Sequence, residues 1–276
     1  MQSQTLDITS FSPSDIRAKA DLDHHDICDL NFIRPAAGYR FRRHFNQGLR
    51  SHIIEVIREC DAVNEETGVM SQGLRTFPRA QPVKMLRIFK RRFKAPADLE
   101  TETRRIRSMA QFIPERFIAV SAEFVVDYRV DGHWDMMLCG LQDFVDGPVV
   151  DPWRPQNLPQ VRHARAFIEG VVAMIEGRRL IPDLAGIGNL RADAQGLLKL
   201  VDINNINPLL KDEPIQLDDQ GYPTADKSVQ ALALLEQHLA NRRTLSSHPI
   251  AGFFLRPKRM AAVNRLERRF YSRLKS

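Results

Sequence analysis

Side chains able to bind a hard cation or to take a proton gather in the second half of this 276-residue chain. Pro182-Asp183-Leu184 opens a loop too rich in Pro and Gly to be helical, and Asn189-Leu190 closes it. The apolar run Leu197-Leu198-Lys199-Leu200-Val201 then delivers Asp202 at its end. Carboxylates and amide oxygens are ligands of hard divalent cations, and a carboxylate can also accept a hydroxyl proton. Upstream, the run from Val83 to Lys90 carries Arg87 and Lys90 on opposite strand faces. Glu102 projects from the apolar face of the helix that follows, where an acid needs a partner because a buried unpaired carboxylate is costly. Each residue also has a plain reading. Asp183 after Pro182 suits a turn, Asn189 caps turns, and Asp202 before Asn204-Asn205 can simply end a strand.

The elements that must position these residues follow from periodicity. Leu49, Ile53, Ile54, Ile57 and Cys60 fall at helical spacing, which predicts an amphipathic helix over 47–60. Gly68, Gly73, Pro78 and Pro82 break the next stretch into turns and short strands. Residues 83–90 read as a strand, Pro96-Ala97-Asp98 as a helix start, and 117–126 and 136–145 as strands around a turn at Asp131-Gly132. The second of these ends in Asp143-Phe144-Val145-Asp146-Gly147. Beyond 150, Val161, Ala164, Phe167, Ile168, Val171, Val172 and Ile175 mark a long helix, and Val229, Leu232, Leu235 and Leu239 another over about 226–241. Strands with one helix first and helices later predict an α+β, two-lobed plan.

That order of elements resembles the protein-kinase-like fold, including its small-molecule branch of aminoglycoside-phosphotransferase type, over about residues 81–210. The resemblance implies a small antiparallel-sheet N-lobe over 46–147 and a mainly helical C-lobe over 148–255; residues 1–45 then form an N-terminal extension, and the helical spacing of Met260, Val263, Leu266, Phe270 and Leu274 predicts a basic amphipathic helix over 256–276. It implies ATP and Mg²⁺ as cofactors, Asp183 as the group that orients the acceptor hydroxyl and takes its proton, and Asn189 and Asp202 as metal ligands. On the nucleotide side it implies Arg87 or Lys90 as the phosphate cation, with Arg87 favoured, Glu102 as its ion-pair partner, and Asp143-Phe144 at the strand end. The chain departs from the pattern in several places. Asp183 and Asn189 are six apart rather than five, Ile181 stands where the family has a His, and Ile203-Asn204 follow Asp202. No GxGxxG precedes the nucleotide strand, where only Gly68 and Gly73 offer themselves.

Composition sets the frame. With 43% apolar and 27% charged residues the chain belongs among folded proteins, not disordered ones. Cys28, Cys60 and Cys139 are odd in number and never in a CxxC pair, so a reducing compartment is expected. The opening residues lack an apolar signal core and no stretch is long enough to span a membrane, which predicts a cytoplasmic protein, with peripheral contact at the inner face of a membrane left open. Asp21-Leu22-Asp23-His24-His25-Asp26 reads as solvated surface, because adjacent histidines do not share a helix face. The net charge of +6 is uneven: residues 256–276 hold eight Lys/Arg against Glu267 alone, so the rest sums to −1. This tail reads either as a helix docked on its own domain or as one that meets an anionic membrane or acidic protein, and it argues against nucleic acid. Three functions are carried forward: a phosphotransferase that uses a nucleotide and a hydroxyl acceptor (small molecule, lipid-linked sugar or protein), a catalytically weak kinase-fold protein that scaffolds, and a basic nonenzymatic binding protein.

Overall fold

The computed structural model describes residues 15–28, 30, 38–44, 51–93, 95–211 and 214–274. In chain order the elements are α1 (His24–Cys28), β1 (Tyr39–Arg43), β2 (Ser51–Arg58), α2 (Glu59–Thr67), β3 (Val69–Ser71), β4 (Leu74–Thr76), β5 (Pro82–Phe89), α3 (Pro96–Arg107), β6 (Ser121–Val130) and β7 (His133–Asp143). They continue with α4 (Ala164–Arg178), β8 (Leu180–Pro182), β9 (Leu190–Ala192), β10 (Leu198–Leu200), β11 (Ile206–Pro208), α5 (Thr224–Leu239), α6 (Ala251–Phe254) and α7 (Pro257–Leu274). The protein is α+β. It divides into two compact units, one holding the described residues through Thr103 together with Val120–Phe144, the other Arg104–Ala119 and everything from Val145 onward.

The first unit is built on a five-stranded antiparallel sheet ordered β1-β2-β5-β7-β6. Strand alternation turns Ile54, Val56, Leu86, Ile88, Met137 and Cys139 to one face, where Ile16, Leu22, Ile27 and Leu30 from the N-terminal segment cover them. Each such side chain removed from water contributes about 1.5–3 kcal/mol. The segment is also tied by polar contacts: the Ile16 N–H donates to Tyr128 Oη at 2.8 Å, and Arg17 pairs with Asp15 at 2.7 Å and Asp135 at 2.5 Å. The helix expected over 47–60 is a correction, since residues 51–58 form β2 and the helix begins only at Glu59. Ile53, Ile54, Val56 and Ile57 are β-branched and suit a pleated, two-sided environment, and a short apolar run satisfies both periods. Leu49, part of that expectation, lies outside the described residues.

In the second unit α4 and α5 carry the core, with Phe167, Ile168, Val171, Met174 and Ile175 from one and Val229, Leu232 and Leu235 from the other. Both show the i, i+3, i+4 spacing of a helix with one buried face. β8 pairs with β11 and β9 with β10, each antiparallel over three residues. α7 is bound into this unit: Val263 is fully buried, and Arg259 meets Asp226 of α5 at 2.5 Å with both side chains inside. No helix of the described residues is long and apolar enough to cross a membrane.

Candidate active-site loops

The strand pairing brings two loops together. Loop 183–189 joins β8 to β9, and loop 201–205 joins β10 to β11, so both loops begin and end on paired strands. Backbone bonds stitch them at both ends: the Asp183 N–H donates to the Asn205 carbonyl at 2.7 Å, and the Val201 N–H to the Asn189 carbonyl at 2.9 Å. Within the first loop the Asn189 amide donates to the Asp183 carbonyl at 3.0 Å. The loop is closed before Asn189 by a turn in which the Asn189 N–H donates to the Gly186 carbonyl at 3.2 Å. The lack of a side chain at Gly186 makes room for Asn189, because a Cβ there would stand 2.5 Å from the Asn189 side-chain nitrogen and displace it.

Asp183 is buried, 9% exposed. Its Oδ1 accepts the N–H groups of Ala185 at 2.9 Å and Gly186 at 3.3 Å and the Ser228 hydroxyl at 3.4 Å. Its Oδ2 accepts the Asn205 amide at 2.8 Å. All these donors are neutral. Burial pushes the carboxyl up to about 6, the like charge of Asp202 adds to the rise, and the amide donors oppose it. Asp202 is half-buried and accepts the Asn204 N–H at 3.3 Å. Asp183, Asn189 and Asp202, nominated by their order in the sequence, thus share one pair of stitched loops.

Three further groups complete the site without having been singled out from sequence. The amide oxygens of Asn204 and Asn205 are buried without a hydrogen-bond partner, and acceptors left that way are suited to a cation or a bound donor. Ser228 anchors the loop from α5, giving its Oγ to Asp183 and accepting the Leu184 N–H at 3.2 Å. The signal for Ser228 was present in Asp226-Lys227-Ser228, consecutive polar residues where an amphipathic helix turns inward, each of which must find a partner. Asp226 finds Arg259, and Lys227 finds Glu267 at 2.9 Å and the Trp153 ring at 4.2 Å. Trp153 in turn donates its indole N–H to the Ala185 carbonyl at 3.2 Å. Among the described residues no three His, Cys, Asp or Glu side chains cluster as a metal centre. The donor set here is instead two carboxylates with amide oxygens, a set that fits a hard cation sharing its shell with phosphate or water.

The residues nominated in the first unit have other partners. Arg87, 3% exposed, bonds Glu123 at 2.9 Å and Ser121 at 2.7 Å, and Ser121 bonds the same Glu123 oxygen. Glu123 thus stands beside Arg87 where Glu102 was expected. Register explains it. Arg87 and Glu123 both lie opposite Gly140 from either side, and a Cβ at Gly140 would meet the guanidinium at 3.0 Å, so only glycine leaves the crossing open. Glu102 pairs with Arg91 at 3.5 Å. Lys90 follows the end of β5, half-buried, with its pKa lowered by burial and by the Arg43 charge. Asp143, paired in register with Lys84, forms an ion pair with it, and Phe144 follows, half-buried. Gly68 and Gly73 sit at the start and turn of the small β3-β4 hairpin, outside the five-stranded sheet. No known family model and no curated protein matches the chain.

Proposed function

We propose that the protein is an ATP- and Mg²⁺-dependent phosphotransferase of kinase-like fold that moves the γ-phosphate to a hydroxyl acceptor. The observation that carries this reading is the double stitching of loops 183–189 and 201–205, which sets buried Asp183 beside Asp202 and Asn189 with only neutral donors around it. The element order of the first unit supports it, with α3 between β5 and β6 in a five-stranded antiparallel sheet. Asp202 and Asn189 would hold Mg²⁺, which when bound neutralises phosphate charge. Asp183 orients the acceptor hydroxyl and takes its proton. With its pKa near 6 it is mostly ionised at neutral pH and still basic enough to accept. Ser228, Asn205 and the Ala185 and Gly186 amides hold the carboxylate in place.

One observation favours a second reading, a nucleotide-binding protein of the same fold without transfer. The Arg87 guanidinium is sealed against Glu123, with 3% and 4% of the two side chains exposed, so it is already neutralised. ADP formation from ATP, with water as the stand-in acceptor and inorganic phosphate as co-product, measured with and without Mg²⁺, separates the two. Transferase activity predicts Mg²⁺-dependent ADP formation that Asp183→Asn removes while nucleotide binding persists. Binding without ADP formation selects the second reading, and neither binding nor turnover rejects both.

A further inference from the structure

We infer that the outward face of α7 is a docking surface for an anionic phospholipid membrane. α7 turns its apolar residues and Arg259 inward, with Val263 buried and Leu266 and Phe270 half-buried, and its single acid goes with them. Glu267 accepts the Lys227 ammonium at 2.9 Å and the Tyr222 hydroxyl at 2.9 Å, so it neutralises nothing on the outer face. Lys258, Arg265, Arg268 and Arg269 are all exposed, and none of their side chains has a hydrogen bond or ion pair among the described residues. Spacings of seven and four keep Lys258, Arg265 and Arg269 on one line, about 16 Å long at ~1.5 Å per residue.

Beside this line Leu217, Gly221, Leu266, Arg269, Ser272 and Arg273 line a groove of about 390 Å³, in which cationic and apolar residues share one wall. Leu217 is 45% exposed and Tyr271 50%. Cations in a row with an apolar side chain and an amphipathic ring at their flanks match the chemistry of a bilayer surface, where phosphate and carboxylate headgroups lie over acyl chains. A folded acidic protein would complement the charge but offer nothing apolar to Leu217, whereas Tyr271 already packs on Tyr222 and Phe270, so a membrane is the occupant argued for. This surface is independent of the phosphotransferase reading.

Co-sedimentation of the full chain with phosphatidylcholine vesicles, with and without phosphatidylserine, tests it at low and high NaCl. The expected result is binding only to the anionic vesicles, weakened by salt as screening shortens the range of the cations. Arg265→Gln/Arg268→Gln/Arg269→Gln should bind about a hundredfold more weakly at an unchanged melting temperature, because these side chains support nothing else. Should that variant melt early, Lys258→Gln/Arg269→Gln provides the same comparison with less change. Equal binding to both vesicle types, or anionic binding undiminished in the variants, would overturn the inference. Binding to soluble polyglutamate but not to vesicles would overturn it in favour of an acidic protein partner.

Discussion

Buried carboxylates keep opposite company in the five-stranded sheet and in the loops of the second unit. In the sheet, Glu123 meets Arg87, and Glu55 meets Arg42 and His44, each at 2.7–2.9 Å. Burial acts to raise the Glu55 pKa, yet His44 and Arg42 outweigh it and hold the group below its ordinary value. In the loops of the second unit, Asp183 has neutral donors only, and burial together with the like charge of Asp202 pushes it up to about 6. Charges in the sheet are closed within the fold. Those in the loops have no cation partner among the described residues, and the proposed function assigns them one in Mg²⁺.

The contrast is broken most severely by removing one cation from a closed pair. Arg87→Met strands Glu123, and Arg259→Met strands Asp226, which is 1% exposed. Each should lower the unfolding free energy by about 3–5 kcal/mol in urea titrations. By the same physics, deletion of 256–276 should destabilise the second unit. The tail is a source of charge, and through Arg259 it is also part of the core.

Asp183→Asn should act in the other direction. A carboxyl whose folded pKa lies above its unfolded one holds its proton longer in the native state, so its contribution to stability falls as pH rises from about 4 to 6. Removing the charge should therefore stabilise the protein at pH 7–8 by on the order of 2–3 kcal/mol, and by nothing below about pH 4. The unpartnered Asn205 amide oxygen can turn to meet the new amide, so geometry survives. Glu55 predicts the reverse trend, stability lost as pH falls through its lowered pKa. Melting temperature against pH for wild type and Asp183→Asn distinguishes the two behaviours.

Smaller effects sharpen the local picture. Gly186→Ala drives a methyl group against the Asn189 amide and should cost about 1–2 kcal/mol, measured by denaturant unfolding, through the lost Asn189–Asp183 bond and strain in the loop. Asp202→Ala removes a half-buried like charge and should change stability by less than about 1 kcal/mol, while lowering the Asp183 pKa toward the usual range.

What could be read from the sequence was local. α4, α5 and α7 show in the spacing of their apolar residues, β6 and β7 in the turn Asp131-Gly132, and the Pro- and Gly-rich composition of 182–189 marks the loop that carries Asp183 and Asn189. What could not be read depends on partners distant in sequence. β2 satisfies helix and strand periods alike until β1 and β5 pair with it. Glu123 reaches Arg87 only because β7 places Gly140 between them, and Ser228 reaches Asp183 across 45 positions. Glu102, chosen for its place on a helix face, was the nearer acid in sequence to the strand cations; cross-strand register made Glu123 the nearer one in space.

Calorimetric titration of ATP into the full chain, with Mg²⁺ and with EDTA, tests most directly whether the loop carboxylates await a metal-bound nucleotide. Wild type and Asp183→Asn should bind ATP with Mg²⁺ present and lose most of that affinity in EDTA, whereas Asp202→Ala should bind equally weakly in both. ATP affinity that ignores Mg²⁺, or an Asp202→Ala protein that binds as tightly as wild type, would contradict the site assigned to Asp183, Asn189 and Asp202.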